Sequence, residues 1–250
     1  MINRIFFILN SLLILSLLAS CGNKNKTEEK NGEANQRTIS FSGFEWTTEG
    51  SGAERISPGQ NYFSSSEENV WVDSHGNLHL KITNRKGKWY CATVTMKESF
   101  AYNKYIFQIS SRVDRFDKNV VGGLFIYLDD SNEIDIEFAR WGIEGNSNSQ
   151  FAVQPAHHNG NIYRYPLDLR GRHSTHIIDW KKDTIEFLSF RGYHLTRPDS
   201  RQIMSEWIYT GNYIPDEDEE KVMINLWLYN GLPPSDNKEV EMIIKAVDIY

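Results

Sequence analysis

Very little in this sequence can cross-link it: of 250 residues, two are cysteines, Cys21 and Cys91. With Cys21 assigned another role below, Cys91 has no partner within the chain, so the fold must hold without a disulfide. Basic charge is also scarce. Against 33 Asp and Glu stand 27 Lys and Arg, a formal charge of −6, which argues against nucleic acid as a partner. Helix start and stop signals are almost absent, leaving strands to carry the fold, and no internal repeat is visible. One long apolar run exists, residues 5–18, and it is too short to span a bilayer comfortably.

That run follows Arg4 and ends in Leu18-Ala19-Ser20-Cys21. The pattern is similar to the lipobox of bacterial lipoproteins, in which the signal is cut before a cysteine that then carries lipid. It implies a signal peptide over 1–20, lipid on Cys21, and an exported protein anchored to the bacterial cell envelope. An ordinary secretory signal cut at the small residues is the alternative, and it exports the chain as well. Either cut removes Arg4 and takes the formal charge from −6 to −6 − 1 = −7. Residues 22–40 are rich in Asn, Lys, Glu, Gly and Thr. They bury too little apolar area to fold and read, with Cys21, as a flexible tether over 21–40.

From residue 41 to 250 the pattern is that of one domain with one sizeable core, at 40% hydrophobic and 24% charged residues overall. Short alternating or apolar runs at 78–83, 105–113, 123–128, 133–138, 150–153, 175–180, 184–190, 222–228 and 240–249 read as strands separated by turn signals. Nine or more strands at this spacing imply an all-β, two-sheet sandwich or barrel. The acidic run 216–220 reads as a solvated loop, and Trp89 and Tyr90 fall in a loop-like stretch where they could form the rim of a cleft. Aromatic residues make up 13% of the chain, with 7 Trp. Their flat apolar faces suit either a core or a groove that stacks sugar rings.

The segment Glu133-Ile134-Asp135-Ile136-Glu137-Phe138 alternates strictly. Successive side chains on a strand face opposite ways, so the apolar three share the core face and the three carboxyls share the other. Crowded carboxyls cannot all ionise cheaply, so one holds its proton near neutral pH. A protonated carboxyl can donate to a glycosidic oxygen while an ionised partner attacks the anomeric carbon, and the middle Asp135 can steer the proton. Four steps of about 3.3 Å put the outer two backbone positions roughly 13 Å apart. A retaining glycosidase needs carboxyls about 5–5.5 Å apart and an inverting one about 6.5–9.5 Å, so side chains leaning inward on a concave sheet are required. Two other readings of the segment are an exposed acidic face and a calcium loop. Asp129, Ser131, Glu133 and Asp135 faintly match an EF-hand spacing, but Ile134 replaces its turn glycine.

The same six residues resemble the signature of glycoside hydrolase family 16, in its form without an extra residue in the strand, as in bacterial lichenases and xyloglucan endotransglucosylases. Gly123-Leu124-Phe125-Ile126-Tyr127 looks like the preceding strand of that family, Ile178-Asp179-Trp180 like a later one, and Ile214-Pro215 with Val222-Met223-Ile224-Asn225-Leu226-Trp227 like a C-terminal cleft strand. The resemblance implies a concanavalin A-like β-jelly roll with a concave cleft and retaining, endo-acting hydrolysis of a β-linked polysaccharide. It also implies Glu133 as nucleophile, Asp135 as its helper and Glu137 as acid/base. Phe125, Tyr127, Gln150, Asn225 and Trp227 would line the cleft, with Trp141 and Gln154 extending its two carboxylate-facing rows. If the register is out by one, Phe125 and Trp227 become core residues. Where some members place half of a disulfide this chain has Cys91 alone, and near a calcium-ligating Asp of some relatives it has Ala246, so no metal or cofactor is implied. His157 and His158, in a Gly- and Asn-containing turn, are expected at the surface without zinc-type spacing.

The expected activity is that of a β-glucanase-like enzyme acting through a covalent glycosyl-enzyme, which a sugar acceptor could intercept to give transglycosylation. The expected partners are a polysaccharide and, through Cys21, a membrane, with the protein itself a monomer. The competing reading is a lectin-like surface lipoprotein without chemistry, since sandwiches of this shape also serve as binding modules. The intact Glu, Asp, Glu triplet discriminates between the two.

Overall fold

A computed structural model of the chain describes residues 36–250. The proposed signal, Cys21 and most of the tether lie outside the described residues. Sixteen strands are present among them: β1 Arg37–Phe41, β2 Phe44–Thr48, β3 Tyr62–Phe63, β4 Val70–Val72, β5 Leu78–Arg85, β6 Lys88–Met96, β7 Lys104–Ile109 and β8 Val120–Asp129 form the first half. The second half comprises β9 Asn132–Phe138, β10 Ser149–Val153, β11 Ile162–Tyr165, β12 Ser174–Lys181, β13 Thr184–Arg191, β14 Ile203–Tyr209, β15 Lys221–Leu228 and β16 Val240–Ile249. Helical structure among the described residues is limited to the single 3₁₀ turns Val113–Arg115 and Tyr229–Gly231. No helix there is long and apolar enough to cross a membrane.

One sheet runs β11-β10-β9-β8-β15-β6-β2-β1, and the other runs β14-β13-β12-β7-β16-β5-β4. The β5–β6 hairpin joins them. Residues 78–82 of β5 pair with β16, residues 83–85 pair with 88–90 of β6, and residues 92–95 of β6 pair with β15. The sheets meet over one core, where Phe151 of β10 stacks on Phe187 of β13 with ring centroids 5.0 Å apart. Each such side chain contributes about 1.5–3 kcal/mol by leaving water. The architecture is the two-sheet jelly roll.

Turn chemistry sets the register of the carboxylate strand. In the tight connection from β8 to β9, Asp129 Oδ1 accepts from the backbone N–H of Ser131 (2.8 Å) and of Asn132 (3.0 Å). Asp129 is thus engaged in the turn that aligns Tyr127 with Glu133, Phe125 with Asp135 and Gly123 with Glu137.

Several expectations are corrected here. The strand from 105 ends at Ile109, and Val113 opens a 3₁₀ turn. Trp89 and Tyr90 belong to β6, not to a loop, and Tyr90 pairs with Tyr62 of β3. Order begins before residue 41, since residues 37–40 lie in β1. Glu220 is buried at the end of the acidic run, accepting from the Asp218 N–H at 2.8 Å. His158 is half-buried and stacks on Tyr213 with centroids 4.3 Å apart.

Candidate active site

Ile134, Ile136 and Phe138 of β9 point into the core, at 1% exposure or less. The period-2 alternation therefore turns Glu133, Asp135 and Glu137 onto the opposite face, where all three line a cleft of about 330 Å³. Antiparallel register extends the face sideways. Opposite Glu137 lie Gln150 on β10 and Gly123 on β8, and beyond Gly123 come Asn225 on β15 and Thr93 on β6. Opposite Asp135 lies Phe125, followed by Met223, and opposite Glu133 lies Tyr127.

Gly123 leaves the room that lets Asn225 lean across this row. A Cβ on Gly123 would sit 2.5 Å from Asn225 Oδ1, so alanine there would displace the amide. Asn225 Oδ1 is itself buried and has no hydrogen-bond partner among the described residues. Such an atom costs free energy unless a partner arrives, and the cleft it lines is where one would come from. Trp227 forms part of the same wall and braces the loop that carries Ser57 and Pro58, since a Cβ on Gly59 would lie 2.7 Å from its ring.

The carboxyls differ in their surroundings. Burial, followed by repulsion from Asp135, pushes Glu137 up to about 8, while a hydrogen bond from Gln150 Nε2 to Glu137 Oε2 (2.7 Å) pulls the other way. Burial raises Glu133 to about 7, against the lowering effect of a hydrogen bond with Asp135. Asp135 lies deeper and is raised well above the ordinary carboxylate range, first by burial and then by Glu133. Asp135 and Glu133 titrate as a pair, and both influences leave the shared proton on Asp135, which donates to an ionised Glu133. Gln154 Nε2 donates to Asp135 Oδ2 at 3.1 Å and holds it in place.

Both outer carboxyls are raised, Glu137 further than Glu133, so Glu133 ionises first and Glu137 holds its proton longer. That is the division of labour that two-carboxyl glycoside chemistry needs. No group of three or more His, Cys, Asp or Glu that could hold a metal occurs among the described residues.

Of the residues expected to line the cleft, Phe125, Tyr127, Asn225, Trp227 and Gln154 do so. Phe125 and Trp227 are 7% and 8% exposed, so each presents one edge to the cleft while packing inward. Gln150 and Trp141 do not line it. Gln150 is buried with its amide on Glu137, and the Trp141 indole Nε1–H donates to Gln150 Oε1 at 3.0 Å. Each is hydrogen-bonded to a protein group, and for Gln150 that group is the catalytic-row carboxyl that a polar amide in an apolar strand could have been expected to meet. Sequence reasoning also missed Arg164, whose Nε donates to the same Gln150 oxygen at 3.1 Å, and Met223, Thr93, Phe63 and Glu49 on the cleft wall. The alternation Met223, Asn225, Trp227 could have identified Met223. Glu49 and Phe63 carry no local signal.

No protein-family model and no curated protein matches the chain. Solved structures do. The β-glucanase of Bacillus licheniformis aligns with a TM-score of 0.58 at 20% identity, covering 82% of this chain and 91% of that one. A mixed-linkage glucan GH16 protein of Bacteroides ovatus, in complex with a G4G4G3G product, aligns at 0.58 with 16% identity over 82% and 94%. A Mycobacterium tuberculosis protein described as an immunostimulatory antigen and pseudo β-1,3-glucanase aligns at 0.61 with 17% identity over 82% and 90%. At such identities these likenesses establish the shared fold.

Proposed function

We propose that this chain is a retaining, endo-acting β-glycan hydrolase. Ionised Glu133 attacks the anomeric carbon as Glu137 protonates the departing glycosidic oxygen, giving a glycosyl-enzyme. Glu137, now a carboxylate, then takes a proton from the water, or the acceptor sugar, that releases the glycan. Asp135 hydrogen-bonds Glu133 and stabilises its charge until the new bond consumes it. The observation that carries this reading is the carboxyl row, whose outer members line one cleft with different partners, Gln150 donating to Glu137 and Asp135 hydrogen-bonding Glu133. A purely sugar-binding groove has no use for such a row. Fold alone would not separate the two readings, since one protein of the same fold is described as a pseudo β-1,3-glucanase.

β-Glucans are the proposed substrate class, supported by the glucan product bound to the Bacteroides ovatus neighbour. The unmutated protein should release oligosaccharides from a soluble β-1,3-, β-1,4- or mixed-linkage glucan, while Glu133→Ala should release none. Binding to glucan by both proteins with cleavage by neither would establish the lectin-like alternative. The pH profile of kcat/KM should be a narrow bell, falling below about 7 as Glu133 gains a proton and above about 8 as Glu137 loses one. We also infer that the mature protein starts at a lipidated Cys21 and partitions with membranes. Intact mass of the membrane fraction tests this, and an unmodified cysteine would refute it.

A further inference from the structure

Two donors converge on one atom behind Glu137. Trp141 Nε1–H and Arg164 Nε–H both point at Gln150 Oε1, at 3.0 and 3.1 Å, and the other end of that amide donates from Nε2 to Glu137 Oε2 at 2.7 Å. The two ends of a primary amide are nearly the same shape, so its neighbours decide which way it faces. Neither an indole N–H nor a guanidinium can accept a hydrogen bond. A turned amide would set its NH₂ against both donors and offer its carbonyl oxygen to Glu137. The arrangement is also held under backbone strain. Trp141 lies at φ +55, a left-handed conformation unfavourable for so bulky a residue. The adjoining Gly142 N–H bonds Lys118 O at 2.8 Å, and the indole packs edge-on against Tyr229 and Trp227 with centroids 5.6 and 6.1 Å apart.

We propose that Trp141 and Arg164 are positioning residues that lock the Gln150 amide, so that Glu137 carries its proton on Oε1, toward the cleft, and not on Oε2. With Nε2–H donating to Oε2, that oxygen acts as the carbonyl end of the protonated carboxyl, and the hydroxyl falls to Oε1. Were the amide turned, its carbonyl would accept the Glu137 proton on the side facing β10, away from any leaving group. The proposal rests on the acid/base reading of Glu137 but concerns where its proton sits. The charged groups that act on Glu137 are Asp135 and Glu133 on its own strand and Arg164 across β10. From β8 and β15 the same row presents Gly123 and Asn225.

The test is the titration of Glu137 in the full chain, followed by ¹³C NMR of labelled Glu carboxyls and assigned with Glu137→Gln. Trp141→Phe leaves every charge in place, so an upward move of the Glu137 pKa in that variant reports the freed amide. Arg164→Ala should raise it further, and Arg164→Lys should restore part of the difference. Each loss variant should cut kcat on polysaccharide about tenfold while leaving glycosyl-enzyme formation from a dinitrophenyl β-glycoside unchanged, because that leaving group needs no proton. An unmoved pKa in Trp141→Phe, or equal losses on both substrates in either variant, would overturn the proposal. If the unmutated protein cleaves no glycan, the carboxyl titration still reads the clamp, and the function proposed above falls without it.

Discussion

Strand β9 has a buried ionisable cluster on each side, and the two differ in what completes them. On the core side the ring of Phe138 meets His176 of β12 at 4.8 Å. That imidazole is fully buried, with Nδ1 2.8 Å from Ser189 Oγ and Nε2 2.9 Å from Ser174 Oγ. Burial pushes it down to about 3, so it is neutral with both nitrogens paired. One residue before Phe138, Glu137 begins the opposite arrangement, in which three carboxyls are crowded together beside an unpartnered Asn225 oxygen. A buried polar group satisfied from within contributes to the fold. One that lacks partners and opens on a cleft costs stability and awaits a ligand.

The largest effect that separates the two clusters is on turnover. Glu133→Ala should reduce activity by about 10⁴-fold or more on every substrate with the fold intact, as circular dichroism would show. Next comes His176→Ala, which leaves a cavity and strips the Ser174 hydroxyl of its partner, while Ser189 keeps the Tyr165 hydroxyl at 2.9 Å. It should cost about 2–5 kcal/mol of stability, read by denaturant melts, with activity of the folded fraction kept.

Stability against pH sharpens the contrast, because the clusters act with opposite signs. The Glu137 pKa is raised on folding, so its stabilising contribution is full below about 4.5 and is lost as pH rises through about 8. Glu137→Gln should therefore unfold at higher temperature than the unmutated protein at pH 9, with the gap closing toward pH 4. The His176 pKa is lowered on folding, so the protein loses stability as pH falls from about 6.5 toward about 3. A Glu137→Gln melt whose gap does not change with pH would break the comparison. The smallest effect is at Trp227. Alanine there should raise KM about tenfold, or about 1.4 kcal/mol. It should also lower the melting temperature, because the same ring braces Gly59.

The sequence made the carboxylate row legible because alternation around Ile134, Ile136 and Phe138 leaves one solution for which face is buried. The sheet around it was legible wherever β-branched and aromatic residues ran uninterrupted, as in β12, β13 and β15. Strand β6 was not read from the sequence, since the adjacent Lys86-Gly87 turn masks where it begins, and β11 was hidden by its brevity and its two exposed residues, Tyr163 and Arg164. Without β11 as a strand, Arg164 had no face, and its link to Gln150 could not be seen. The partner of the Gln150 amide stayed open between a sugar hydroxyl and a catalytic carboxylate for a related reason, and the structure shows the carboxylate. Alternation gives the direction of a side chain but not which of two neighbours, sugar or carboxyl, lies at its end.

The most direct measurement of the central claim is azide rescue of the two outer carboxyl variants on an activated aryl β-glycoside, with the product configuration read by NMR. Glu137→Ala should still form the glycosyl-enzyme and yield the β-glycosyl azide. Glu133→Ala should yield, if rescued, the α-glycosyl azide, because the anion then attacks from the vacated nucleophile side. An α product from Glu137→Ala, or net inversion by the unmutated protein, would contradict the covalent mechanism and the assignment of Glu133 as its nucleophile.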